Sequence, residues 1–185
     1  VIHNNIKIFN DRNTMINHYL KNNDIGCELG VFIGNFSNIL LNKNPNKLYL
    51  VDLFNGIQES GDKDGNNIIK VDLEQAKTNL INFYKNDARV NIVQSSTVDF
   101  LNSKPDNYFN YVYIDADHSY EAVKNDLKLS YKKIKNGGFI LGHDYITPRF
   151  DGVVRAVNEF CQETNLYIEA LTKCGCPSFC IAVNK

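Results

Sequence analysis

A few short stretches of this chain carry side chains able to do chemistry. The first is Cys27-Glu28-Leu29-Gly30-Val31-Phe32-Ile33-Gly34-Asn35, an E-x-G-x-x-x-G run. Gly30 and Gly34 lack a Cβ, so the backbone there can pass close to a ligand and adopt positive φ. A leading carboxylate suits a cationic ligand group. The G-x-G-x-x-G of dinucleotide binders instead offers backbone donors to an anionic pyrophosphate. Asp52 closes the run Lys47–Leu53, a place from which a carboxylate can hydrogen-bond ribose hydroxyls. Ser95 and Ser96 follow Val90–Gln94. Asp115-Ala116-Asp117-His118 follows Tyr108–Ile114, and His143-Asp144-Tyr145 follows Phe139–Gly142. His118 and His143 are candidate proton acceptors, because an imidazole with an ordinary pKa of ~6.5 can take a proton from a hydroxyl. The structural alternative has His118 anchoring the next helix and His143 packing on the sheet.

The elements that must position these residues alternate. Met15, Ile16, Tyr19 and Leu20 recur at helical spacing within residues 10–22, so an N-terminal helix precedes the rest. Ile25–Leu29 reads as a strand and Asn35–Lys43 as a helix ended by Asn44-Pro45. Lys47–Leu53 is a near-continuous apolar strand of the buried kind. Residues 55–70 read as a polar loop, long enough to serve as a lid. Val71–Lys85 is a helix, Val90–Gln94 a strand, and Thr97–Ser103 a short helix that Ser95 or Ser96 can cap. Tyr108–Ile114 is a strand, Tyr120–Ile134 a helix, Phe139–Gly142 a strand and Asp151–Thr164 a helix. Leu166–Leu171 and Phe179–Val183 form a closing hairpin. Such alternation predicts a three-layer α-β-α domain with a mostly parallel sheet. Residues 1–24 read as an N-terminal helical segment and 25–185 as the domain proper. In a sheet of this kind the ligand lies beyond the carboxyl ends of the strands. Glu28, Asp52, Ser95, Ser96, Asp115, His143 and Asp144 all fall there.

The bulk properties exclude some functions. At 185 residues, 43% hydrophobic and 22% charged, the chain suits one globular domain. A net charge of −1 gives no basic footprint for nucleic acid. No apolar run reaches the ~18–20 residues of a membrane helix, and no signal-peptide pattern opens the chain. The five cysteines are an odd number, with Cys27 inside the glycine run, which argues against a secreted disulfide framework. These features suggest a cytoplasmic protein, or one inside a host cell. Cys174, Cys176 and Cys180 read as reduced thiols around a turn, since a structural zinc needs four ligands. The chain opens on Val1, as a processed product or a domain of a longer chain would.

Taken together, the motifs carry a resemblance. E-x-G-x-x-x-G is similar to the first motif of class I S-adenosylmethionine-dependent methyltransferases. Asp115-Ala116-Asp117-His118-Ser119-Tyr120-Glu121-Ala122-Val123, then Gly137-Gly138 and His143-Asp144-Tyr145, resembles the I-D-[GA]-D-H-S-Y-E-A-V … G-G … H-D-Y pattern of one such group. Gly152-Val153-Val154-Arg155-Ala156-Val157 resembles it too. Asp52-Leu53-Phe54-Asn55-Gly56 looks like the D-x-F-x-G of macrocin-type sugar O-methyltransferases. The resemblance covers roughly residues 25–160.

It implies a Rossmann-like methyltransferase fold, with a seven-stranded sheet whose last strand is antiparallel, and S-adenosylmethionine as cofactor. Glu28, Gly30, Phe32 and Gly34 fall on the cofactor loop, and Asp52 with Leu53 on the ribose. Ser95 and Ser96 fall on the adenine wall, and Asp115 beside the sulfonium. Several relatives bind Mg²⁺ where Asp115 and Asp144 fall, although His143 and Tyr145 stand where such relatives often carry further acids or amides. The implied reaction is methyl transfer to a hydroxyl of a small acceptor, a sugar or glycan being favoured, with His118, His143 and Asp144 as the catalytic set. A cofactor-binding module without transfer is the alternative, and the retained acids and histidines speak against it. Nucleic acid and membrane partners are not expected, and a homo-oligomer remains open.

Overall fold

The structure, a computed structural model, describes residues 1–60 and 68–185. Its first half runs β1 (Ile2–Phe9), α1 (Arg12–Tyr19), β2 (Ile25–Leu29), α2 (Ser37–Leu41), β3 (Lys47–Asp52), β4 (Ile57–Ser60), β5 (Ile69–Asp72) and α3 (Leu73–Tyr84). The second half runs β6 (Val90–Gln94), α4 (Thr97–Asn102), β7 (Phe109–Ile114), α5 (Tyr120–Lys133), β8 (Ile134–Gly142), α6 (Asp151–Thr164), β9 (Ile168–Thr172) and β10 (Phe179–Ala182).

Among the described residues the main sheet has eight strands, in the order β1-β9-β10-β8-β7-β2-β3-β6. The pairs β2/β3, β2/β7, β3/β6 and β7/β8 are parallel, and β10 runs antiparallel to both β8 and β9. This is the expected α/β methyltransferase-like architecture with its reversed last strand. Alternate residues of each central strand face opposite layers, as the period of two requires. Leu48, Leu50, Tyr111, Tyr113 and Leu141 pack with Met15, Ile16, Leu40 and Leu80 of α1 to α3. Tyr49, Val51, Val112, Ile114 and Ile140 pack with Phe100, Leu127, Val157 and Phe160 of α4 to α6. Full burial of such side chains stabilises by about 1.5–3 kcal/mol each before entropy is counted. Burial on both faces is why the central strands read as unbroken apolar runs.

Three expectations are revised. Residues 2–9 form a strand, parallel to β9, so the sheet has eight strands rather than seven, and the N-terminal segment is a strand and a helix built onto the domain. Within the expected loop of residues 55–70, β4 and β5 pair as an antiparallel hairpin, and 61–67 lie outside the described residues. β8 begins at Ile134, ahead of Gly137-Gly138 rather than after it. Caps fix the helix starts that matter for the site. Asp11 accepts from the Thr14 amide at 2.8 Å in a capping box, which holds α1 with Arg12 at its first position. Ser96 accepts from the Asp99 amide at 3.0 Å and starts α4. No helix of the described residues is long and apolar enough to cross a membrane.

Candidate active site

The carboxyl ends of β2, β3, β6 and β7 open into a cleft of about 560 Å³. That volume is ordinary for a small-molecule site. The loop after β2 forms its floor, and backbone packing requires glycine at its first turn. Gly30 has φ +87°, and a Cβ on it would stand 2.1 Å from the Asp115 carbonyl oxygen. Gly34 has φ +80°, and its Cβ would meet Leu80 Cδ2 at 2.4 Å. The first glycine therefore lets the β2 loop lie against the end of β7, which joins two halves of the site.

Asp52 organises the same loop. Its Oδ2 accepts from the Val31 and Phe32 amides at 2.8 and 2.9 Å, and its Oδ1 from the Phe54 amide at 3.0 Å. A carboxylate offers about four acceptor positions, so one remains for a ligand hydroxyl. Phe32 itself sits at φ +54°, a conformation uncommon for a side-chain-bearing residue, and the bond to Asp52 helps hold it.

Glu28 lies under this loop, 2% exposed, and accepts from Ser37 Oγ at 2.6 Å. Burial pushes its carboxyl up to about 8, the Ser37 bond opposing and the Asp115 charge adding. It is a buried acid that a cation would ionise.

Toward β8 the site becomes a cluster. His118 Nε2 stands 2.7 Å from Asp144 Oδ2 and 3.7 Å from Asp115 Oδ1. The shorter approach is a charge contact rather than an aligned hydrogen bond, because Nε2 is a buried atom without a geometrically formed partner. His143 Nδ1 lies 3.3 Å from Asp144 Oδ1 and 3.8 Å from Asp115 Oδ2. Asp115, with Asp144 beside it, lifts His118 to about 9 against the opposing effect of burial. Burial works to raise the Asp144 carboxyl, yet His118 and His143 together hold it well below the usual carboxylate range. Asp144 also adopts φ +58°, which an Asp tolerates better than most residues. On the other side, the Arg12 guanidinium lies 3.7 Å from Asp115 Oδ2 and 4.4 Å from the centre of the Phe36 ring. One atom each of Asp115, His118 and Asp144 lie within 4.8 Å of one another, a grouping that could hold a metal ion.

Of the residues singled out from sequence, Glu28, Gly30, Phe32, Asp52, Leu53, Ser95, Ser96, Asp115 and His118 line the cleft. Gly34 faces a neighbouring pocket behind the loop, against α3. Asp144 and His143 stand behind His118 rather than on the cleft wall. Sequence reasoning missed Arg12, Phe36, Thr97 and Asp126, which also line it. Asp126 had a signal: it lies four residues after Ala122, so both share one face of α5. Arg12 had only its place next to a capping Asp.

Comparisons with known proteins agree with this architecture. A family described as a methyltransferase domain matches residues 24–145. An uncharacterized protein of Acanthamoeba polyphaga mimivirus is 33% identical over 92 residues, which are 46% of this chain and 41% of that relative. The matched stretch is thus less than half of the relative's length. Among solved structures, a protein of Clostridium thermocellum described as an rRNA-methylase superposes with a TM-score of 0.66 at 15% identity, covering 96% of this chain and 99% of that one. The N-methyltransferase NodS of Bradyrhizobium japonicum, in complex with S-adenosyl-L-homocysteine, gives 0.65 at 12% identity, covering 94% and 86%. Identities this low show the fold alone. The family match spans the glycine loop, Asp52, Asp115, His118 and Asp144 together, and the chain belongs to the methyltransferase domain family.

Proposed function

We propose that this chain transfers a methyl group from S-adenosylmethionine to a hydroxyl of a small acceptor, a sugar or glycan being the favoured class. The charge of the cleft carries the cofactor reading. Asp52, Glu59, Asp115, Asp117 and Asp126 line it, with Glu28 a further acid that a cation would ionise, against Arg12 and His118. An acidic cleft repels the phosphates of a dinucleotide and favours a cationic sulfonium with its ammonium group. The S-adenosyl-L-homocysteine held by NodS on the same fold supports the same ligand. The oxygen acceptor rests on the D-x-F-x-G resemblance at Asp52–Gly56 and on the cluster around His118, which can take a hydroxyl proton once the proton that Asp115 and Asp144 hold on it has left.

The reaction is an in-line displacement. An acceptor oxygen attacks the methyl carbon, the carbon–sulfur bond breaks, and its electron pair returns to sulfur. The sulfonium already activates the methyl, so the chain's work is positioning and removal of the hydroxyl proton. Asp52 and the loop it organises hold the ribose. Glu28 meets the ammonium group. His118 is the cluster member on the cleft wall, and Asp144 and His143 orient it. The donor set of Asp115, Asp144 and His118 Nε2 fits a divalent ion, Mg²⁺ on the two carboxylates or a softer ion if the imidazole joins. A divalent cation held there would release the proton from His118 and acidify an acceptor hydroxyl beside it.

The test is incubation with methyl-labelled S-adenosylmethionine and a panel of hydroxylated and aminated small molecules, with and without Mg²⁺. Label on oxygen of a sugar-bearing acceptor supports the reading. Label found only on nitrogen overturns the oxygen assignment. Activity unchanged in excess chelator removes the metal from the proposal.

A further inference from the structure

We infer that a second cavity, behind the loop after β2, is a carbohydrate-binding subsite that holds the outer units of an oligosaccharide acceptor. The inference rests on the sugar reading above and makes the acceptor an extended glycan rather than a single sugar. The cavity has a volume of about 440 Å³, ordinary for a small-molecule site. Ala76, Leu80 and Tyr84, buried and four residues apart along α3, form its floor. Gln75, Asn79 and Phe83 repeat one position earlier along α3 and are exposed. Asn35 and Asn38, from the end of the β2 loop and from α2, add two more amides. The cavity adjoins the cleft, since Ile33 and Asn35 line both.

The chemistry of this lining differs from that of the acidic cleft. Among its described residues the charged groups are Lys70 and Asp72, and both are matched. Asp72 Oδ1 accepts from the Glu74 and Gln75 amides at 3.0 and 3.1 Å, and Lys70 Nζ lies 3.5 Å from Glu59 Oε1. The cavity therefore meets a ligand with side-chain amides rather than with charge. An amide both donates and accepts hydrogen bonds, as a sugar hydroxyl does. Tyr84 Oη donates to Asn38 Oδ1 at 2.7 Å, and Gln75 Nε2 donates to Asn79 Oδ1 at 3.0 Å. These bonds hold both asparagines in one orientation, with the NH2 group of each able to donate to a ligand oxygen.

Phe83 supplies the apolar half of the recognition. It is 71% exposed, and its ring stands edge-on to Tyr84 with centroids 4.9 Å apart. A ring left that open keeps apolar surface in water that a ligand could cover. A pyranose has an apolar C–H face to lay on such a ring and a rim of hydroxyls to pair with amides. The position also suits a chain that begins in the cleft. Asn35 precedes Phe36, against which Arg12 stacks beside Asp115. A glycan whose reacting hydroxyl reaches His118 has a path over Asn35 into the second cavity.

The test is an array of neutral mono- to hexasaccharides, probed in the presence of S-adenosylhomocysteine with the wild-type protein, Asn79→Ala and Phe83→Ala. The wild type should retain oligosaccharides and bind monosaccharides at least about 10-fold more weakly. Each variant should lose oligosaccharide binding by about 5-fold or more. Both residues are exposed, so calorimetric affinity for S-adenosylhomocysteine should stay within about 2-fold, which also reports that the variants fold. Retention of no array member by the wild type overturns the inference, as does binding that is indifferent to both substitutions. Glycan binding that depends on Phe83 and Asn79, with no labelled methyl passed to those glycans, supports the subsite and overturns the transfer reading. Labelled methyl on a glycan whose binding ignores both residues does the reverse.

Discussion

At the scale of single residues, burial holds one acid of the site, Glu28, out of its usual protonation state. The folded-state pKa of Glu28 lies at about 8, above its ordinary 4.5. A carboxyl raised in this way adds stability that is full below pH ~4.5 and is lost as pH rises through about 8. The unliganded protein should therefore lose stability across that window. Glu28→Gln, which keeps a partner for Ser37, should flatten the slope and melt above the wild type at pH 8, by on the order of a few kcal/mol at most. Melting curves at pH 5 and pH 8 for both proteins check this. Parallel curves would mean that Glu28 does not titrate there. A cationic ligand should ionise Glu28, so S-adenosylhomocysteine binding near pH 7 should release a proton, read as a binding heat that depends on the buffer. The histidines should separate by position. His118 lines the cleft, and His118→Ala should lower turnover ~10²–10⁴-fold with cofactor affinity nearly intact. His143 acts through Asp144, and its Ala variant should lose only ~10–100-fold. Near-wild-type turnover in both would move the proton acceptor elsewhere, with Asp117 next in line on the cleft wall.

At the scale of elements, the junction between the β2 loop and the end of β7 is where the site can be broken without touching a chemical group. Gly30→Ala would drive a Cβ into the Asp115 carbonyl from a positive φ, and backbone cannot step aside. A loss of about 3 kcal/mol or more is expected, with ligand binding abolished. At Gly34 the clash is with the end of the flexible Leu80 side chain, so Gly34→Ala should cost about 1–2 kcal/mol, chiefly for its φ. Urea titrations of the two variants compare them, and equal losses would contradict this account of the junction. Elements also divide by how well they can be read in sequence. β2, β6 and α6 are bounded in the structure as their residues indicated, because short apolar runs mark the two strands and Val153, Ala156, Val157 and Phe160 recur at helical spacing in α6. β1, of sequence IHNNIKIF, is mostly exposed at the sheet edge. Its pairing with β9 is made by backbone, which leaves no apolar pattern to read. The β4–β5 hairpin hid for the same reason, since Gln58, Glu59 and Lys70 are exposed strand residues with the polarity of a loop.

At the scale of the whole molecule, sheet order decides which strand ends meet. The order β8-β7-β2-β3-β6 brings Asp144, Asp115, Glu28, Asp52 and Ser95 into one row, although Glu28 and Asp144 are 116 positions apart in the chain. The acids at strand ends could be read from the sequence one at a time. Their partners could not, because the bonds from Asp52 to Val31, Phe32 and Phe54 and the pairing of His118 with Asp144 exist only once the strands are aligned. Arg12 and Asp126 enter the cleft from helices on opposite layers, which no local motif announces. This acid-lined row is proposed to receive a sulfonium nucleoside. Calorimetric titration of the protein with S-adenosylhomocysteine at pH 7 tests it most directly. Saturable one-to-one binding is expected, and Asp52→Ala should weaken it by about 1–3 kcal/mol or more, since that change removes both a ligand contact and the loop's organiser. The absence of any binding heat, with no thermal shift at millimolar ligand, would contradict it.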